Sequence, residues 1–121
     1  MKLRVLEDTF SVCKLFSPQD ADWGNPFCFA ACTDEEVSCV CPVGKAPART
    51  LAREDGWRGF RIEGVLDFSL VGILARVSAI LAENGIAIFA VSTYNTDYVF
   101  LKEHDFDRAI QALLRQGYEV Q

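Results

Sequence analysis

The sequence predicts an α+β fold with the element order β-α-β-β-α-β, and three observations carry that prediction. Ile73, Leu74, Val77, Ile80 and Leu81 fall on one stripe of a helical period. Phe106, Ala109, Ile110, Leu113 and Leu114 make a second such stripe. Between the two, Ile86 to Val91 is an unbroken apolar run after a glycine, the pattern of a strand buried in a sheet.

In chain order, Thr9 to Phe16 alternates sufficiently for a strand. Pro18 to Pro26, with Gly24 inside it, is a broken segment where a first helix is short or degraded. Phe27 to Ala31 and Val37 to Cys41 are two strands of a hairpin turned at Thr33 to Glu36. Ala46 to Glu54 is rich in helix formers and ends near Asp55-Gly56, and Trp57 to Phe60 leads into the next strand. Phe60 to Glu63 alternates apolar and polar and is ended by Gly64, giving a short half-buried strand. Ser69 can cap the first striped helix, and Asn84-Gly85 ends it. After the apolar strand, Thr93 to Asp97 is a polar loop and Tyr98 to Lys102 a second β-rich run. Asp105 can cap the second striped helix, Gly117 closes it, and Tyr118 to Val120 is a last strand. This order is the split βαβ unit of the ferredoxin-like fold.

The first half follows the same order more faintly, so the chain reads as two copies of one motif of about 60 residues each. The division predicted is 1–58 and 59–121, and units that small need a shared interface. The 121 residues are 50% hydrophobic, so a core can form and disorder is disfavoured. A formal charge of -5 repels phosphate backbones, which argues against nucleic acid. No apolar run approaches the roughly 18 residues needed to cross a bilayer. The first eight residues are charged without an apolar stretch, which argues against a signal peptide and makes the five cysteines thiols of a reducing cytoplasm.

The chemical inventory is thin. His104 is the only histidine, no glycine-rich phosphate loop or Gly-x-Ser-x-Gly elbow occurs, and catalysis would have to rest on carboxylates or a thiol. No catalytic residue and no cofactor is predicted.

Gly64-Val65-Leu66-Asp67-Phe68-Ser69-Leu70-Val71-Gly72-Ile73-Leu74, Leu81-Ala82-Glu83-Asn84-Gly85-Ile86 and Ser92-Thr93-Tyr94-Asn95-Thr96-Asp97-Tyr98 carry a resemblance. The stretch from Trp57 to Val120 resembles the ACT regulatory domain, and the whole chain resembles small stand-alone tandem-ACT proteins. The Ser-Thr-aromatic-x-x-Asp run is similar to one in CASTOR-type arginine sensors and in the regulatory modules of aspartokinases. The resemblance implies a tandem repeat of two ferredoxin-like ACT domains. It also implies a non-catalytic regulatory module that binds a small ligand, usually an amino acid, at an ACT–ACT interface, with a homodimer and a protein partner as the route to an output.

The residues support that chemistry independently. An amino-acid carboxylate needs donors, which the unpaired N–H groups at a helix start supply together with a favourable dipole. Val71-Gly72-Ile73 opens the first striped helix, and Gly72 lets a ligand approach its backbone. An ammonium needs an acceptor, for which Asp97 is placed, while Ser92 and Thr93 add hydroxyls and Tyr94 a ring wall. The expected ligand-binding residues are thus Gly72, Ile73, Ser92, Thr93, Tyr94 and Asp97. Plainer roles stand beside these: close packing for Gly72, helix capping for Asp67 and Ser69, an Asx turn for Asp97, backbone bonding for Thr93, packing for Tyr94. Trp23 and Trp57 read as core or interface aromatics, and His104 as a surface residue.

Two other function classes compete. One is a small ferredoxin-like enzyme using Asp97 or Glu63 with a thiol. The other is a structural or metal-binding interaction module built on Cys28, Cys32, Cys39 and Cys41. The hairpin loop would put Cys28 opposite Cys41 and Ala30 opposite Cys39, although Cys-x-Cys on a strand is a poor zinc knuckle and buried cysteine is an ordinary core residue.

Overall fold

A computed structural model describes residues 1–63 and 71–121. Its elements in chain order are β1 (Lys2–Val5), β2 (Phe10–Lys14), β3 (Phe29–Cys32), β4 (Val37–Pro42), β5 (Ala52–Ile62), α1 (Ile73–Glu83), β6 (Ile88–Ser92), β7 (Asp97–Lys102), α2 (Phe106–Arg115) and β8 (Glu119–Val120). Short 3₁₀ turns cover Pro18–Asp20, Val43–Lys45 and Glu103–Asp105. Gly64, Asp67 and Ser69, expected to end a strand and cap the first helix, lie outside the described residues.

The chain divides into two compact units, Asp8–Trp57 and Met1–Glu7 with Arg58–Gln121. We call them the N-terminal and C-terminal units. Strand β5 contributes its first half to one and its second half to the other.

In the C-terminal unit the strands are ordered β6-β7-β5-β1-β8. This is the ferredoxin-like order with β1 added between β5 and β8, antiparallel to β5 and parallel to β8. The added strand has a simple cause: Lys2-Leu3-Arg4-Val5 alternates, so Leu3 is wholly buried while Lys2 and Arg4 face out. Helices α1 and α2 bring Val77, Ile80, Leu81, Phe106, Ala109, Ala112 and Leu113 into one core with Leu3, Phe60, Ile62, Val99 and Leu101. Both striped helices therefore form as their periodicity predicts, although Leu114 stays exposed at the rim of the second. Gly85 and Gly117 end them with φ of 69° and 91°, the left-handed conformation glycine adopts without strain. Asp105 precedes α2 without capping it through its side chain; its carboxylate instead accepts from Arg108 at 2.8 Å.

Strand β6 departs from expectation. It starts at Ile88 rather than Ile86 and is only half-buried, with Ala90 and Ser92 exposed, because it is the outer strand of the C-terminal unit and pairs with β7. An unbroken apolar run cannot by itself tell an outer strand from a central one.

In the N-terminal unit the order is β3-β4-β2-β5, with each neighbouring pair antiparallel. The hairpin turns at Thr33 to Glu36 as predicted, and Ala30 faces Cys39. The helix expected over Ala46 to Glu54 does not form. Val43–Lys45 makes a 3₁₀ turn and Ala52 already begins β5, because Arg53 and Glu54 are claimed by pairing with Cys13 and Val12. Tertiary pairing outweighs a weak helix propensity, and Pro47 weakens that propensity further. Gly56, expected to end a helix, sits instead at φ 86° where the β2–β5 register shifts by one residue, the signature of a glycine bulge. Trp23 is 66% exposed and belongs to no core.

Candidate functional site

The start of α1 and the end of α2 face one cavity. Gly72 takes φ 78°, a left-handed conformation that L side chains adopt at a cost, and its carbonyl accepts from the Arg76 N–H at 2.9 Å as the first turn of α1. A Cβ on Gly72 would meet no described atom within 4 Å, so conformation rather than close packing demands glycine there. The first N–H groups of α1 have no partner within the helix and carry the positive end of its dipole.

Opposite, α2 ends with the Tyr118 N–H donating to the Leu113 carbonyl and the Gly117 N–H to the Leu114 carbonyl, at 3.2 and 3.0 Å. The negative end of that helix dipole lies here. Between them is a cavity of about 390 Å³, lined by Val71, Gly72, Ile73 and Arg76 on the α1 side and Gln116, Gly117 and Tyr118 on the α2 side, with Met1. The Arg76 guanidinium lies 6.0 Å from the centre of the Tyr118 ring. The α1 side thus contributes a helix N-terminus and the Arg76 guanidinium, which reaches over the Tyr118 ring, and the α2 side the carbonyl end of a helix.

Two of the expected residues, Gly72 and Ile73, line this cavity. The other four sit together at the β6–β7 turn and are not among its described lining. Asp97 is the first residue of β7 rather than a loop residue; it stands opposite Ser92, whose hydroxyl donates to its Oδ1 at 2.6 Å. The N–H and hydroxyl of Thr93 both donate to the Thr96 carbonyl, at 2.9 and 3.0 Å, the backbone bonding weighed for it from sequence. Thr96, buried, donates its hydroxyl to the Ile62 carbonyl at 2.6 Å and ties the turn to the end of β5. The Tyr94 side chain is 81% exposed.

Met1, Val71, Arg76, Gln116, Gly117 and Tyr118 line the cavity without being among the residues expected from the sequence. Arg76 had a legible signal: it lies one helical turn beyond Gly72, so it shares the face on which α1 opens. Tyr118 follows the glycine that closes α2, whereas Met1 had no signal, since its place depends on β1 joining the C-terminal unit.

A second constellation lies in the N-terminal unit. The sulfur atoms of Cys13, Cys39 and Cys41 lie within 4.8 Å of one another, all three buried. Cys13, not one of the four cysteines expected to cluster, joins Cys39 and Cys41, whereas Cys32 is exposed. Cys28 packs against the cluster from its edge. All five cysteines are free thiols. The hydrogen bond Cys39 donates to Cys41 pushes the Cys39 thiol up and holds Cys41 below the ordinary thiol value, where the Arg53 charge adds to the effect. Burial pushes up Cys13 and Cys28.

No curated protein matches this sequence. Among solved structures, the chain is similar to the Agobacterium tumefaciens protein Atu0741, at 30% identity and a TM-score of 0.87 over 99% of this chain and 91% of that one. A Vibrio cholerae protein of unknown function, VC0802, described as a possible transport protein, matches at 19% identity and a TM-score of 0.72 over 94% of this chain and 88% of that one. The aspartate kinase of Clostridium acetobutylicum, an allosteric enzyme, matches at 11% identity and a TM-score of 0.65, with 93% of this chain laid over 34% of the kinase. Residues 52–115 match the family model of the ACT domain, a regulatory ligand-binding module of ferredoxin-like fold. The chain therefore belongs to the ACT-domain family.

Proposed function

We propose that this protein is a non-catalytic sensor that binds a free amino acid, with the cavity between the start of α1 and the end of α2 as its principal site. The observation that carries this is the pairing of opposite helix ends on one cavity, with Arg76 beside the positive one. A zwitterion placed there sets its carboxylate against the α1 N–H groups and Arg76, and its ammonium toward the carbonyl end of α2. Gly72 and Ile73 form the carboxylate cradle. The turn bearing Ser92, Thr93, Tyr94 and Asp97 is the second ligand surface of this proposal. A second copy of the chain, in a homodimer, would supply the ACT–ACT interface, and a partner protein in the cytoplasm would read the change in arrangement.

In this proposal the N-terminal unit is a second ACT domain. Its strand order β3-β4-β2-β5 is the ferredoxin-like one, and the turns at Pro18–Asp20 and Val43–Lys45 stand where the two helices of that fold would be.

Thermal unfolding against each of the twenty amino acids tests the proposal. A ligand at about 100 times its Kd stabilises by about 2.7 kcal/mol, and the melting temperature climbs with its concentration. Arg76→Ala should abolish the response to the amino acid found. If Asp97→Ala abolishes it while Arg76→Ala does not, the site is the β6–β7 turn. A flat response to all twenty overturns the sensor.

A further inference from the structure

The cluster of thiols in the N-terminal unit plays no part in the proposed amino-acid site. Its geometry follows from two simple rules. Residues two apart on a strand share a face, which aligns Cys39 with Cys41 on β4. Antiparallel neighbours directly opposite share a face too, which adds Cys13 of β2 across from Cys39. Three sulfurs therefore converge on one side of the sheet, 1–2% exposed.

Metal–thiolate bonds are about 2.3 Å long, so three sulfurs in a plane around one ion stand about 4 Å apart. Separations that nowhere exceed 4.8 Å need only small side-chain rotations to reach that triangle. The surroundings suit the charge. Arg53, the β5 neighbour directly opposite Cys13, places a cation beside the thiols and favours their anionic form, while Asp55, its ion-pair partner, and Asp22 are the carboxylates that oppose it. Leu15 and Ala21 are the buried apolar residues packed with the three cysteines, and all three converging donor atoms are sulfur, so the donor set is soft.

We propose that Cys13, Cys39 and Cys41 form a three-thiolate site for a thiophilic d10 metal ion, Cu⁺ or Zn²⁺. Each thiol that ligates releases its proton to solvent, so binding is accompanied by proton release and weakens in acid. The ion would join β2 to β4 across the sheet and stabilise the unit with the smaller core.

The test uses the full chain, reduced and without any amino acid present, so its outcome is independent of the sensor reading. Cu⁺ and Zn²⁺ are titrated separately, with Cd²⁺ as an absorbing substitute for zinc. The expected result is saturation at one ion per chain, a thiolate-to-metal absorption band and a raised melting temperature reversed by a chelator. Cys39→Ala and Cys41→Ala should lose all three responses, while Cys32→Ser keeps them. Whichever ion responds identifies the preferred metal. The proposal is overturned if neither ion responds, or if the response survives both alanine variants. Should those variants fail to fold by circular dichroism, X-ray absorption of the metal-loaded wild type decides. A shell of three sulfurs supports the site, and a shell of nitrogen or oxygen overturns it.

Discussion

The two units share a strand connectivity and differ in what covers it. The C-terminal unit runs α1 from β5 to β6 and α2 from β7 to β8, and its core is aliphatic and aromatic. The N-terminal unit fills the same places with single 3₁₀ turns, and the cluster on its sheet is built largely from cysteine. The sequence shows why. Pro18, Gly24 and Pro26 interrupt the first crossover, and Gly44 and Pro47 the second, so neither can sustain the backbone hydrogen bonds of a helix. Strand order thus survives the loss of helices, whereas a large core does not.

This difference predicts unequal sensitivity to truncation. Leu81→Ala, at a wholly buried position of α1, should cost about 2 to 5 kcal/mol. Cys13→Ala in the N-terminal cluster removes one sulfur and should cost about 1 kcal/mol. Urea unfolding of both variants without added metal measures the gap, and equal losses would show that the two cores carry similar weight.

The glycines of β5 sharpen the contrast at smaller cost. In the C-terminal unit, a Cβ on Gly59 would stand 2.7 Å from two carbons of the buried Phe100 ring, which is itself stacked on Phe89 at 5.1 Å between ring centres. Gly59→Ala must displace that ring and should cost about 1 to 3 kcal/mol. In the N-terminal unit, Gly56 has open space around it but φ 86°, so Gly56→Ala meets only backbone strain, about 1 to 2 kcal/mol. A compensating truncation separates the two mechanisms. Phe100→Leu should recover part of the Gly59→Ala loss by removing the clash and nothing of the Gly56→Ala loss.

How much of this was legible follows the same division. The C-terminal unit could be read because α1 and α2 each bury a full stripe and end at Gly85 and Gly117, where local propensity and tertiary packing agree. In the N-terminal unit they conflict. Arg53 and Glu54 favour a helix locally but pair with β2, and Gly56 serves a bulge as readily as a helix end. β1 carries no local signal, because four alternating residues become a strand only through pairing with β5 and β8. The candidate site was half legible for the same reason. Gly72 and Ile73 follow from the helix start, whereas Met1 reaches the cavity through the non-local pairing of β1 with β8. Cys13 joined the thiols across a β2–β4 register that its spacing from Cys39 does not reveal.

Acid titration gives the smallest expected effect and completes the comparison, because matching ion pairs lie in the first half of β5 and at its C-terminal end. In the C-terminal unit the hydrogen bond from Arg61, together with that from Arg4, holds the Glu63 carboxyl below its ordinary range. In the N-terminal unit the hydrogen bond from Arg53, followed by that from Ser11, does the same for Asp55. A carboxyl whose pKa is lower in the folded chain than in the unfolded one binds fewer protons when folded. Its stabilisation is present above the ordinary carboxylate range and is lost as pH falls through the lowered folded value. Both pairs are partly open to solvent, the Arg53–Asp55 pair more than the Arg61–Glu63 pair, so each effect is small and diminished by salt. Melting temperatures measured between pH 7 and pH 3 should therefore fall less steeply for Glu63→Gln and for Asp55→Asn than for the wild type, with the curves converging at the acid end. If the Asp55→Asn curve keeps the full wild-type slope while Glu63→Gln flattens it, only the pair in the helix-backed unit is maintained in solution.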